Sequence, residues 1–203
     1  MKLFLSSSFK DVAPIFHRFE DNPSGKRVTF IPTASTVEKV VFYVKSGKKA
    51  LEKLGIIVDE LDISTATSDE ITGKLTNNDY IYITGGNTFF LLQELRRTGA
   101  DKLIIEQVQM GKLYIGESAG SVVASPNIEY VAMMDSTAKA PNLRDYDALT
   151  LTDFYTVPHH TNMPFKKTVE RIIEQYGATH ALRPISNKQA ILVNGDTAVT
   201  ENI

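Results

Sequence analysis

Apolar residues recur at two spacings along this 203-residue chain, and the two alternate. Short runs rich in β-branched and aromatic residues read as strands, and segments with apolar residues three and four apart read as amphipathic helices. Leu3–Leu5 is a first strand, followed by a helix through Val12, Ile15, Phe16 and Phe19. Asn22-Pro23-Ser24-Gly25 is a turn cluster, and Arg27–Pro32 is a second strand centred on Val28–Ile31. Ser35 or Thr36 is placed to cap a long helix over Val37–Leu54, which Gly55 ends. Ile56–Ile63 reads as strand three, Ser68 opens a short helix, and Tyr80–Thr84 is a strand apolar enough for burial on both faces. Helices over Phe89–Arg97 and Ala100–Met110 lead into an apolar run that starts at Lys112. Further on, Tyr155–Val157 is a strand and Phe165–Tyr176 a helix. Gln189–Val193 and Ala198-Val199 form a hairpin around Asn194-Gly195.

Alternating strands and helices imply right-handed crossovers and an α/β fold with a mostly parallel sheet. No repeat, low-complexity tract or linker interrupts the pattern, so one domain over 1–203 is expected. A hydrophobic fraction of 42% and a charged fraction of 23% are those of an ordinary globule. A net charge of −2 gives no general attraction to nucleic acid or to an anionic membrane. Lys45, Lys48, Lys49 and Lys53 fit the solvated face of a helix. With no cysteine, disulfides, thiolate metal sites and a cysteine nucleophile are excluded. The apolar run within Met1–Ser8 is too short for a signal peptide or a membrane span, and a cytoplasmic location is the expectation.

The candidate chemistry lies at Leu113-Tyr114-Ile115-Gly116-Glu117-Ser118-Ala119-Gly120, where a strand runs into Gly-x-Ser-x-Gly. That pattern is a nucleophile elbow, which exposes a serine hydroxyl at a sharp strand-to-helix turn. A serine needs a base, and histidine is the usual one near neutral pH. His17 and His180 fit surface positions, whereas His159 and His160 follow a strand directly in Pro158-His159-His160-Thr161-Asn162. Either of the pair is a candidate. The acid that would orient the base is open among Asp135, Glu117, Glu129, Asp145, Asp147 and Asp153; Asp135 follows the apolar run Val131–Met134, which could be a short strand. Gly85-Gly86-Asn87-Thr88 ends the Tyr80–Thr84 strand and offers small residues and polar donors for substrate, although Asn87 or Thr88 could equally cap the next helix. It lacks the spacing of a dinucleotide fingerprint, and no carboxylate cluster supports a metal at His159 and His160. No cofactor or metal is expected.

The combination of Ile83-Thr84-Gly85-Gly86-Asn87-Thr88-Phe89, the Ser118 elbow, Asp147-Ala148-Leu149 and Pro158–Asn162 resembles the peptidase E family, serine peptidase family S51, which includes aspartyl dipeptidase and cyanophycinase. The resemblance implies a three-layer sandwich like that of class I glutamine amidotransferases. It implies Ser118 as nucleophile, His159 as base, Asp135 near the place of the acid, and the Gly86 and Ala119 amides as oxyanion hole. Asn87 and Thr88 would line the substrate site. Only 41 residues separate Ser118 from His159, which argues against an α/β-hydrolase. The implied activity is hydrolysis of short peptides, including dipeptides with an N-terminal aspartate, by a monomer or homodimer. A peptide- or small-molecule-binding protein of the same fold and an esterase-type acyl hydrolase are the alternatives. In the family an arginine early in the helix after the histidine reads the substrate's aspartate. Here that region is Pro164-Phe165-Lys166-Lys167-Thr168-Val169-Glu170-Arg171, with Thr168 or a lysine at that place, a departure that bears on Asp-X specificity.

Overall fold

The computed structural model describes residues 1–203. β1 (Lys2–Ser6) leads to α1 (Phe9–Phe19), then β2 (Arg27–Ile31), α2 (Phe42–Lys53), β3 (Ile57–Glu60) and α3 (Ser68–Asn77). β4 (Tyr80–Ile83) is followed by α4 (Thr88–Thr98) and α5 (Ala100–Gln109), and β5 (Leu113–Glu117) by the single turn α6 (Ala119–Val122). After an irregular stretch come β6 (Tyr155–Val157), α7 (Lys166–Tyr176), β7 (Leu182–Pro184) and the hairpin β8 (Gln189–Asn194) and β9 (Thr197–Asn202). The central sheet has seven strands in the order β3-β2-β4-β5-β1-β8-β9; β6 and β7 pair separately. The first five strands run parallel, and only β8 and β9 are antiparallel to their neighbours.

Side chains alternate across each strand, so the sheet feeds two cores. Leu3, Leu5, Ile31, Ile81, Ile83 and Tyr114 face α3, α4, α5 and α7. Phe4, Val28, Phe30, Tyr82 and Ile115 face α1 and α2. On that second face Phe4 meets Phe9 and Phe16 edge-on, and Phe30 stacks on Tyr82 with centroids 5.0 Å apart. Each of these fully buried rings contributes roughly 1.5–3 kcal/mol through removal from water. Helices on both faces of a mostly parallel sheet make a three-layer α/β fold, as the alternation predicts.

Three expectations change. The helix predicted over Val37–Leu54 begins only at Phe42. Ser35 and Thr36 do not cap it: their hydroxyls donate back to the Pro32 and Thr33 carbonyls in a 3₁₀ turn over Thr33–Ser35. Val40, Val41 and Phe42 are exposed, so the apolar spacing there marks no buried helix face. Strand three ends at Glu60, because Asp62 turns the chain by accepting bonds from Ser64 and Thr33. The run before Asp135 is no strand but a 3₁₀ turn over Glu129–Val131, with the Asp135 amide donating to the Val131 carbonyl.

Candidate active site

β5 delivers Ser118 to the carboxyl edge of the parallel strands, where loops diverge and sites form. The elbow is tight for a steric reason. A Cβ on Gly116 would lie 2.6 Å from the Gly120 carbonyl oxygen, and one on Gly120 would lie 2.2 Å from that of Ile83. Only hydrogen fits at either position, and the turn forces Ser118 to φ 50°, ψ −108°. Such a backbone persists only when its surroundings over-determine it. The Ser118 amide donates to the Ser6 carbonyl at 2.8 Å, and Ser121 Oγ bonds the Ser6 amide and carbonyl, tying the elbow to the end of β1.

Ser118 Oγ lies 2.9 Å from His159 Nε2. Pro158 ends β6, and His159 follows with φ 65°, itself a strained position for a bulky residue. Its amide donates to Ser7 Oγ at 3.0 Å, and Ser7 Oγ in turn donates to the Ile185 carbonyl. The Phe165 ring stacks on the imidazole with centroids 5.0 Å apart. The imidazole is therefore held by its backbone, by a hydroxyl and by a ring face. His160 instead uses its amide to reach Ile185 and does not join Ser118.

The second imidazole nitrogen has an unexpected partner. His159 Nδ1 lies 3.0 Å from Oδ1 of Asn187, in the loop between β7 and β8. The Asn187 amide donates to Asn162 Oδ1, and the Asn162 amide to the His159 carbonyl, which closes a small ring of bonds around the imidazole. An amide oxygen accepts, so Nδ1 carries the proton and Nε2 presents its lone pair to the serine hydroxyl. Burial holds the His159 pKa below the ordinary imidazole value, opposed in part by the Asn187 bond.

Asp135, expected near the acid position, is elsewhere. Its Oδ2 accepts from the Thr88 amide at 2.8 Å and from Thr88 Oγ1 at 2.6 Å. The other candidate acids are also engaged or distant: Asp145 pairs with Arg96, Asp147 accepts from Asn127, and Glu129 and Asp153 are exposed. Glu117 points into the opposite core, with Oε1 accepting from the Phe9 amide and Oε2 from Tyr82 Oη. Burial pushes its carboxyl up to about 7. Asn87 and Thr88 serve the loop itself: Asn87 Oδ1 caps α4 through the Phe90 amide, and its Nδ2 donates to the Ser136 carbonyl.

Gly86 approaches the Ala34–Ser35 backbone so closely that a Cβ would lie 2.1 Å from the Ala34 carbonyl oxygen, and its φ is 136°. Its amide has no protein acceptor. Ala119 opens α6, so its amide has no intrahelical acceptor either. On α7, Lys166, Lys167 and Arg171 are exposed, with Arg171 well inside the helix.

The profile of Peptidase family S51 matches residues 3–200. The chain belongs to that family. An uncharacterized peptidase of Listeria monocytogenes is 61% identical over 201 residues, covering 99% of this chain and 98% of its own. One from Pasteurella multocida is 56% identical over 198 residues, covering 98% and 96%. Peptidase E of Salmonella arizonae is 35% identical over 140 residues, 68% of this chain and 58% of that protein. Among solved structures, a Listeria monocytogenes protein provisionally named peptidase E superposes with a TM-score of 0.96 at 60% identity, covering 100% of this chain and 98% of that one. A peptidase from an acI-B1 actinobacterium shares the fold, with a TM-score of 0.74 at 20% identity over 100% and 87% of the two chains. This S51 chain is thus a peptidase by family. No helix in it is long and apolar enough to cross a membrane.

Proposed function

We propose that this S51 peptidase is serine-type and hydrolyses short peptides, dipeptides with an N-terminal aspartate among them, through an acyl-enzyme. The observation that carries the reading is the 2.9 Å approach of Ser118 Oγ to a histidine nitrogen whose tautomer suits proton removal. Ser118 attacks the scissile carbonyl as its proton passes to His159 Nε2. The oxyanion of the tetrahedral intermediate is received by the Gly86 and Ala119 amides, both without competing acceptors. His159 then gives its proton to the leaving amine. In the second half it takes one from water as that water attacks the acyl carbon, then returns it to Ser118 Oγ as the Oγ–acyl bond breaks and the acid product leaves. Asn187 keeps Nδ1–H in place throughout. It brings no negative charge, so the imidazolium formed in flight is oriented more than it is neutralised.

The family arginine is replaced here by Thr168 or a lysine, and a lysine lacks the bidentate fork for a carboxylate. Preference for aspartate is therefore a matter of degree in this chain. The test uses a small organophosphorus fluoride and the peptides Asp-Ala, Glu-Ala and Ala-Ala. Labelling of the full chain that vanishes in Ser118→Ala, with hydrolysis of at least one peptide, is the expected result. Absence of labelling, or rapid cleavage of simple esters with every peptide left intact, would overturn it.

A further inference from the structure

α2 lends one side chain to the neighbourhood of the nucleophile. A point where Gly85 would carry a Cβ lies 3.1 Å from Ser118 Cβ, 3.6 Å from its Oγ and 3.5 Å from Cε2 of Tyr43. Tyr43 and Ser118 thus flank a residue that has no side chain to separate them. The ring is half-buried, and its hydroxyl has no hydrogen-bond partner within the protein. The charges that bear on it are those of Glu38, Glu117 and Asp135, all acidic. Lys139 is paired with Glu38 at 2.6 Å. Asp135 uses only Oδ2, on Thr88, and its other oxygen takes no bond. Burial and these carboxylates push the phenol up to about 12, so it stays protonated and neutral.

We propose that Tyr43 is a substrate-specificity residue whose hydroxyl, within the field of Glu38 and Asp135, receives the free α-ammonium of a short peptide. The proposal rests on the serine-peptidase reading and names the part of the substrate that the site selects. In a dipeptide the amino nitrogen is two bonds, roughly 2.5 Å, from the scissile carbonyl carbon. Once that carbon sits over Ser118, the ammonium must lie against the residues that flank the serine. A phenol oxygen accepts from an ammonium, and the surrounding negative charge favours a cation there. A substrate carboxylate at the same place would meet like charge, so an aspartyl side chain points elsewhere.

Two measurements test this, on Asp-Ala and Ala-Ala with free and with N-acetylated amino termini. The first is binding to the inactive Ser118→Ala chain by calorimetry. Free peptides bind at least about tenfold more tightly than their acetylated forms, and adding Tyr43→Phe shrinks that ratio to about two. The second is turnover: Tyr43→Phe raises KM with little change in kcat, while its rate of labelling by the organophosphorus fluoride stays within about twofold of wild type. That labelling also reports an intact fold and dyad. Equal binding of acetylated and free peptides, an unchanged ratio in Tyr43→Phe, or no binding of any of them would overturn the assignment. Loss of labelling in the wild-type chain would overturn the peptidase mechanism instead.

Discussion

His159 Nδ1 meets Asn187 Oδ1 at 3.0 Å, so an amide stands where a carboxylate ordinarily orients a catalytic histidine. The two groups do one task equally and another differently. Either oxygen accepts the Nδ1 proton and leaves Nε2 free for a serine. Only a carboxylate also stabilises the charged ring. On the proposed mechanism Asn187 positions the ring while raising its proton affinity less than a carboxylate would, and burial holds the His159 pKa below the ordinary imidazole value.

That difference is measurable in the pH profile of kcat/KM. On the proposed mechanism activity requires neutral His159 and is lost as pH falls through its pKa, which lies below the ordinary imidazole value. Asn187→Asp places a negative charge against the ring and favours imidazolium. The acid limb should move to higher pH by about one unit or more. Asn187→Ala removes the orienting acceptor without adding charge, and kcat/KM should fall about tenfold or more. An unmoved limb in Asn187→Asp would mean that the amide does not govern this ring.

Asp135 supplies the contrasting case. Its carboxylate clamps the Thr88 amide and hydroxyl two residues beyond Gly86, so it bears on the Gly86 loop and not on His159. Asp135→Asn retains an acceptor for Thr88. We expect kcat to fall less than about tenfold, with the acid limb of the profile in place, because no imidazole partner is altered. A shift of that limb matching the one from Asn187 substitution would reverse the two assignments.

The sheet and the serine elbow were legible because both write local patterns. Buried parallel strands read as continuous apolar runs, as Tyr80–Ile83 and Leu113–Ile115 do, and the elbow needs its glycines at set positions. Other features depend on partners distant in the chain. β7 is three residues, Leu182–Pro184, and is defined by pairing with β6 rather than by any run of its own. The start of α2 is not legible, because Val37, Val40 and Val41 fall at helical spacing, yet that segment packs by backbone bonds and the Glu38–Lys139 pair. Asn187 lies 28 residues beyond His159 in a polar turn, Ser186-Asn187-Lys188, that looks like any surface loop. It is no carboxylate, and it lies outside the stretch from Ser118 to His159. The only hint was chemical: a side-chain acceptor just before a buried strand, β8.

The glycines divide by what surrounds them, and stability should follow. Gly120→Ala would drive a methyl to 2.2 Å from the Ile83 carbonyl oxygen, a backbone atom at the carboxyl end of the interior strand β4. Overpacking of that kind costs about 1–3 kcal/mol or more, so the melting temperature should drop by roughly 5 °C or more, and labelling of Ser118 should be lost with it. Gly73, within α3, meets nothing within 4 Å of its would-be Cβ. Gly73→Ala should raise stability by roughly 0.5–1 kcal/mol through helix propensity and leave labelling intact. Calorimetric scans of the two variants against wild type check both signs.

Glu117 ties the floor of the elbow to pH. Its folded-state pKa is about 7, raised from 4.5 chiefly by burial, against the bonds from Phe9 and Tyr82. Between those two values the unfolded chain has released the proton and the folded chain still holds it. The unfolded state binds fewer protons, so stability contributed by this group falls as pH rises from 4.5 to about 7 and stays lost above it. The full difference is on the order of 3 kcal/mol. Glu117→Gln cannot ionise and keeps an acceptor for one of the two donors. Its melting temperature relative to wild type should therefore climb between pH 5 and pH 7.5, whatever the offset at pH 5. Parallel stability curves for the two chains across that range would show that the buried carboxyl titrates like an exposed one. Tyr82 Oη, held against it at 2.8 Å, would then be bonded to an ordinary carboxylate at neutral pH.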